Sequence, residues 1–192
     1  MSEGIIHTNN DFKNSTLTFY PDRIECDLFG PEVMMDWEDS IMNDHAQIAC
    51  HNQGDVLEIG FGLGISADYI QSLHPISHTI VEIHPQVYEK LEVWAADKPN
   101  VTIILGDWKD IENTLGQYDG IFYDAIADVN IVEFMKTFTP NHIKAGGKMT
   151  YFNINGSNDS YNIGATFTTS LITPDVNGYF NDSTYYVPTV QY

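Results

Sequence analysis

Apolar residues recur along this chain at two periods, and the switches between them mark its elements. From Val33 to about Cys50 the positions Val33, Met34, Trp37, Ile41, Met42, Ala46 and Ala49 follow a helical spacing, which predicts an amphipathic helix against a core. After the turn Asn52-Gln53-Gly54, the short apolar run Asp55-Val56-Leu57-Glu58-Ile59-Gly60 predicts a buried strand. A glycine-rich turn and a helix from about Ile65 to Leu73 come next. Strands over 78–83, 101–105, 119–124 and 147–153 then alternate with helices near 85–97, 108–115 and 130–139. This alternation predicts a doubly wound α/β fold with a mostly parallel sheet.

The flanks differ. Residues 1–32 show no sustained period and end in Phe29-Gly30-Pro31-Glu32, so they are expected to form an irregular arm, a candidate lid for a single domain over 33–192. Residues 154–164 are rich in Asn, Ser and Gly and predict a loop. The Thr-, Tyr- and Val-rich runs 165–173 and 183–191 predict an antiparallel hairpin closing one sheet edge.

Composition sets outer limits. With 192 residues, 43% of them hydrophobic, the chain has the size and apolar content of one globular core rather than of a disordered tail. Its 27 acidic against 8 basic side chains give a net charge of -19, which repels nucleic-acid phosphates and anionic membranes and attracts a cation. The same charge also fits a plain solubility adaptation. Cys26 and Cys50 cannot build a disulfide framework, and no spacing suggests a metal site. The segment Met1 to Phe12 carries neither a basic start nor an apolar run, so a soluble, cytoplasmic chain is expected. Composition leaves the oligomeric state open, a homodimer included.

The candidate ligand site is Glu58-Ile59-Gly60-Phe61-Gly62-Leu63-Gly64, at the carboxyl end of the first core strand, where doubly wound sheets bind ligands. A dinucleotide fingerprint starting at Gly60 requires glycine at position 65, which is Ile65, so the spacing disfavours a pyrophosphate. The segment resembles motif I of class I methyltransferases, which implies S-adenosylmethionine as cofactor, with Glu58, Gly60, Gly62 and Gly64 in its binding turn. By the same likeness Glu82 accepts hydrogen bonds from the ribose hydroxyls, Asp107 takes the adenine amino group, and Trp108 offers an aromatic face.

Further segments narrow the likeness. Val33-Met34-Met35-Asp36-Trp37-Glu38, Asp119-Gly120-Ile121-Phe122-Tyr123-Asp124 and Thr150-Tyr151-Phe152-Asn153, with a fainter echo in Tyr185-Tyr186-Val187-Pro188, resemble guanidinoacetate N-methyltransferase and the related arginine N-methyltransferases of the internal guanidino nitrogen. The resemblance implies that Glu38 and Asp124 clasp a cationic guanidino group, that Trp37 and Tyr123 line the acceptor site, and that a small guanidinoacetate-like molecule is methylated. Paired carboxylates suit a planar guanidinium because they accept its donors in charge-assisted, often bidentate bonds. A guanidinium nitrogen becomes nucleophilic only as it loses a proton, so one carboxylate must act as base, and Asp124 on a strand end is the expected one. His45, His51 and His84 show no partner spacing and are expected to be surface or satisfied core residues. The chain departs from the family in lacking a second amphipathic helix before the closing hairpin and in a short arm. A different small acceptor, or a catalytically silent cofactor-binding protein, therefore stays open as an alternative.

Overall fold

A computed structural model describes residues 8–28, 32–126 and 128–192. In chain order they form helix α1 (Asn9–Lys13), strands β1 (Leu17–Phe19), β2 (Arg23–Cys26) and β3 (Glu32–Met35), helix α2 (Asp39–Ala49), strand β4 (Asp55–Ile59), helix α3 (Ile65–Ser72), strand β5 (Ser77–Glu82) and helix α4 (Pro85–Ala95). The remaining elements are strand β6 (Val101–Leu105), helix α5 (Trp108–Ile111), strand β7 (Tyr118–Tyr123), helix α6 (Ile131–Glu133), a π-helical segment Phe134–Phe138, helix α7 (Thr139–His142), and strands β8 (Ile143–Tyr151), β9 (Thr166–Leu171) and β10 (Thr184–Gln191).

The main sheet runs in the order β6-β5-β4-β7-β8-β10-β9, parallel from β6 to β8 and antiparallel where β10 and β9 close the edge. This is the expected α/β sheet with its terminal hairpin. Chain order departs in opposite directions from β4, first to β5 and β6, then to β7 and β8. The carboxyl ends of β4 and β7 therefore flank the switch point where such sheets bind ligands.

Alternation along the central strands serves two cores. Leu57 and Ile59 of β4 join Ile121 and Tyr123 of β7 on one face, under Trp108, Phe134 and Phe138. Val56 and Phe122 point the other way, against Ile41, Met42, Ala46 and Ala49 of α2. Ile41 and Met42 are wholly buried, each worth about 1.5–3 kcal/mol in transfer free energy. The end of α2 lies directly on β7, because a Cβ on Gly120 would overlap the carbonyl oxygen of Ala49.

Three sequence expectations change. The helix expected from Val33 begins only at Asp39. Val33–Met35 belong to β3, paired antiparallel with β2 through Ile24↔Met34 and Arg23↔Met35, and Asp36–Glu38 form a 3-10 turn. A three-residue apolar run fits either period, and here the neighbouring strand decides. The arm is not irregular over residues 8–28. Thr8 and Asp11 cap α1 reciprocally, and β1, β2 and β3 form a small antiparallel sheet. The helices expected near 108–115 and 130–139 are broken into short α, 3-10 and π pieces. The expected breaker Phe29-Gly30-Pro31 and residues 1–7 lie outside the described residues.

Candidate active site

The glycine turn carries three left-handed residues, Gly60 at φ 91°, Gly62 at φ 54° and Gly64 at φ 81°. Only glycine adopts such angles without strain. Gly60 also packs on the backbone of Asp124, and a Cβ on Gly62 would strike the Met34 sulfur. Glu82, at the end of β5, steadies the turn. Its Oε2 accepts the Phe61 N–H at 2.9 Å and its Oε1 the His84 N–H at 2.7 Å. Burial raises the affinity of Glu82 for a proton, an effect opposed by these backbone donors and by those of Ile83 and Gly62.

A cavity of about 730 Å³, its open mouth included, lies over this turn. Of the sequence-derived candidates, Gly60, Gly62, Glu82, Asp107, Trp108 and Asp124 line it. Asp107 caps α5 by accepting the Lys109 N–H at 3.0 Å, while its other oxygen accepts Asn9 Nδ2 at 2.9 Å. Asn9 donates as well to Asp128 Oδ1 at 3.0 Å. Asp128 in turn accepts the Trp108 indole N–H at 2.7 Å and the Tyr123 hydroxyl. Through Asn9 and Phe12, both cavity residues, α1 roofs the site. Behind the arm, His84 caps α4 by accepting the Gln86 N–H on Nδ1, which leaves Nε2–H to donate to the Ser15 carbonyl.

Glu58 and Gly64 lie outside the cavity lining. Glu58 is fully buried, accepting His78 Nε2 at 2.9 Å and the Ser66 hydroxyl, so it ties α3 and β5 together beneath the turn. Gly64 N-caps α3 against the Phe61 ring. Tyr123 does not line the cavity either. Its ring packs on Phe134 in the core and its hydroxyl goes to Asp128, so it supports the cofactor-side network.

Of the two acids singled out on the acceptor side, Asp124 lines the cavity and Glu38 does not, though the field of Glu38 reaches Asp124. Asp124 follows β7 at the cavity, and its carboxyl takes no hydrogen bond among the described residues. Burial, then the fields of Glu38, Glu58 and Glu82, raise its proton affinity well above the usual carboxylate range. Glu38 is buried at the start of α2 and accepts the Met35 N–H at 2.8 Å and the Tyr179 hydroxyl at 2.6 Å, both on Oε1. Burial pushes its pKa up to about 7, partly offset by these two donors. Among the described residues no Lys or Arg acts on Glu38, Glu82 or Asp124, so burial favours the protonated form of each until a cation arrives. Trp37 lies beside it, outside the cavity lining, between the Tyr179 and Phe180 rings.

The supporting layer joins His45, which proves to be the satisfied core residue of the two alternatives expected, to residues missed from sequence. His45 is wholly buried and stacks on Phe122. The Thr150 hydroxyl donates to the Pro188 carbonyl at 2.6 Å, so it accepts from His45 Nδ1–H at 2.6 Å. His45 Nε2 then accepts the Tyr185 hydroxyl at 3.0 Å, and the Tyr185 oxygen accepts the Asn153 N–H at 2.7 Å. Burial pushes the His45 pKa down to about 3, in keeping with the neutral tautomer this chain demands. Tyr185 stood in the quoted Tyr185-Tyr186-Val187-Pro188 segment. Asn9, Asp128 and Tyr179 had no sequence signal, because their partners are remote in the chain.

The parallel sheet, the left-handed glycine turn and an acid at the end of β5 define the class, the Rossmann-like fold of the class I methyltransferases. Gly60, Gly62, Glu82, Asp107 and Trp108 line one cavity with Asp124, and buried acids there suit the sulfonium cation of S-adenosylmethionine, so these residues fit that cofactor. The family model for guanidinoacetate N-methyltransferase matches residues 4–164, and the chain belongs to that family. Among curated relatives, protein arginine N-methyltransferase 2 of Aspergillus oryzae is 36% identical over 162 residues, covering 80% of this chain and 39% of the relative. Protein arginine N-methyltransferase 2 of Yarrowia lipolytica is 44% identical over 108 residues, covering 50% of this chain and 22% of the relative. The chain thus spans well under half the length of these relatives. Among solved structures, precorrin-6y C5,15-methyltransferase from Geobacter metallireducens shares the fold at a TM-score of 0.57 and 12% identity, covering 83% of this chain and 89% of that one. No helix among the described residues is long and apolar enough to cross a membrane.

Proposed function

We propose that this chain transfers a methyl group from S-adenosylmethionine to a guanidino nitrogen of a small, guanidinoacetate-like acceptor. The observation that supports this reading is the field of Glu38 at the buried Asp124, with no Lys or Arg among the described residues acting on either. Two buried carboxylates held together are unfavourable until a cation compensates them, and a planar guanidinium offers donors to both.

When bound, S-adenosylmethionine supplies an electrophilic methyl group. The chain's own residues do the rest. Glu82 and the glycine turn would hold the cofactor end of the site, and Glu38 would orient the acceptor nitrogen toward it. Asp124 would take the proton that the acceptor nitrogen gives up on methylation, the sulfur–methyl bond breaking to leave S-adenosylhomocysteine. Its raised proton affinity suits it as a base, since free guanidinium releases a proton only above about pH 12. The resting proton on Asp124 leaves when the cationic acceptor arrives.

A second reading is favoured by the names of the relatives, which are protein arginine N-methyltransferases. Against it we weigh the Tyr179 and Phe180 rings, which stack on Trp37 next to Glu38 and favour a compact acceptor. Incubation with methyl-labelled S-adenosylmethionine and guanidinoacetate, free arginine, an arginine-containing peptide or glycine separates the readings. Label in guanidinoacetate is the expected result; label confined to the peptide favours the protein substrate, and label in glycine alone removes the guanidino assignment.

A further inference from the structure

The connection between β9 and β10 folds back over the start of α2. Asn177 shapes it, accepting the N–H groups of Tyr179 at 2.9 Å and Phe180 at 2.7 Å on Oδ1 and donating through Nδ2 to the Phe180 carbonyl at 2.8 Å. The Gly178 N–H donates to Glu32 on β3 at 3.3 Å, which tethers the connection to the small sheet. The Tyr179 ring stacks on Trp37 with centroids 5.9 Å apart and planes at 29°. Its hydroxyl donates to Glu38 Oε1 at 2.6 Å, the same oxygen that accepts the Met35 N–H. Oε2 takes no hydrogen bond among the described residues.

We propose that Tyr179 is a positioning residue for the methyl acceptor: with the Met35 N–H it holds one oxygen of Glu38, so that the other oxygen presents to the guanidino group. This rests on the guanidino reading of the site. A carboxylate with two donors on one oxygen cannot rotate without breaking both bonds, so the direction of Oε2 is fixed before the acceptor arrives. The two donors also favour the charged form of a buried acid, which is the form that can grip a cation. The titratable groups that face Glu38 are Asp124 beyond β7, Tyr185 of β10, and Tyr179 with Glu32 behind it. None carries a positive charge, so removal of the phenol leaves a single backbone donor to oppose burial.

The test is Tyr179→Phe, which retains the ring on Trp37 and deletes only the hydroxyl. Glu38 is followed by carbon NMR on carboxyl-labelled glutamate, assigned with Glu38→Gln, while guanidinoacetate binding to chain saturated with S-adenosylhomocysteine is measured by calorimetry across the neutral range. The expected result is a Glu38 midpoint raised by roughly one pH unit or more. Acceptor affinity should fall roughly tenfold at neutral pH and recover on raising the pH, with cofactor-product affinity unchanged. Replacing Tyr179 with 3-fluorotyrosine, a stronger donor, should lower the midpoint. A midpoint and an acceptor pH profile that superimpose on the unmodified chain in both variants overturn the role of Tyr179. An unmodified chain that binds no guanidino compound at any pH overturns the functional reading, and the proposed role with it.

Discussion

The carbonyl oxygen of Asp124 occupies the space that a Cβ on Gly60 would need. The cofactor turn and the acid at the end of β7 are thus in direct backbone contact, and neither can shift alone. Gly60→Ala adds that clash to the strain of a left-handed angle, roughly 1–2 kcal/mol by itself. We expect at least a tenfold loss of S-adenosylhomocysteine affinity by calorimetry together with slower transfer; unchanged affinity would show that the turn moves independently of β7.

If Asp124 receives the proton, Asp124→Asn should lower turnover by roughly 10²–10⁴ while S-adenosylhomocysteine still binds. Single-turnover measurement with saturating acceptor isolates this step. A variant that keeps near-normal turnover would move the base elsewhere.

Glu38 binds its proton more tightly in the folded chain than in the unfolded one, with a pKa of about 7 against the ordinary 4.5. The stability this contributes is complete below the unfolded value and is lost as pH rises through the folded one, a difference of about 3 kcal/mol. Glu38→Gln should therefore stabilise the ligand-free chain above pH 7 relative to its effect below pH 4.5, read from urea midpoints. Equal effects at both ends would deny the shift. Acceptor binding near neutrality should also release protons, visible as a calorimetric enthalpy that depends on the buffer.

His45 has the opposite sign. Its folded pKa of about 3 lies below the ordinary 6.5, so stability is lost as pH falls between them, by about 5 kcal/mol in full. His45→Gln, which cannot titrate, should flatten the acid limb of the stability profile. An unaltered limb would place the acid-sensitive group elsewhere.

Asn9 joins Asp107 to Asp128 across the cavity roof. Asn9→Ala should weaken S-adenosylhomocysteine binding roughly five- to tenfold through loss of these bonds, with little change in the urea midpoint. Loss of stability without loss of affinity would make α1 a structural brace only.

The parallel sheet was legible because β4 and β7 are buried on both faces and read as near-continuous apolar runs. The glycine turn was legible because its spacing reflects the angles it must adopt. The arm was misread since its order comes from Thr8–Asp11 capping and from pairing between short strands, neither of which leaves a period. Val33–Met35 illustrate the same limit, being apolar enough for either element until β2 supplies a partner. Tyr179 escaped notice, and the partners of His45, expected as a surface or satisfied core residue, could not be named, for a further reason. Their chemistry exists only through contacts made across 141 and 140 positions of chain, with Glu38 and Tyr185.

Gly120 faces the Ala49 carbonyl at the far end of α2, while Glu38 stands at its near end and Asp124 follows Gly120 out of the same strand. At Gly120 the gap between helix and strand is thus gauged by bare backbone, whereas further along it is filled by Phe122. A methyl group at 120 would act as a wedge under one end of a rigid rod, tilting Glu38 relative to Asp124. A position that touches no ligand would then damage catalysis through geometry alone.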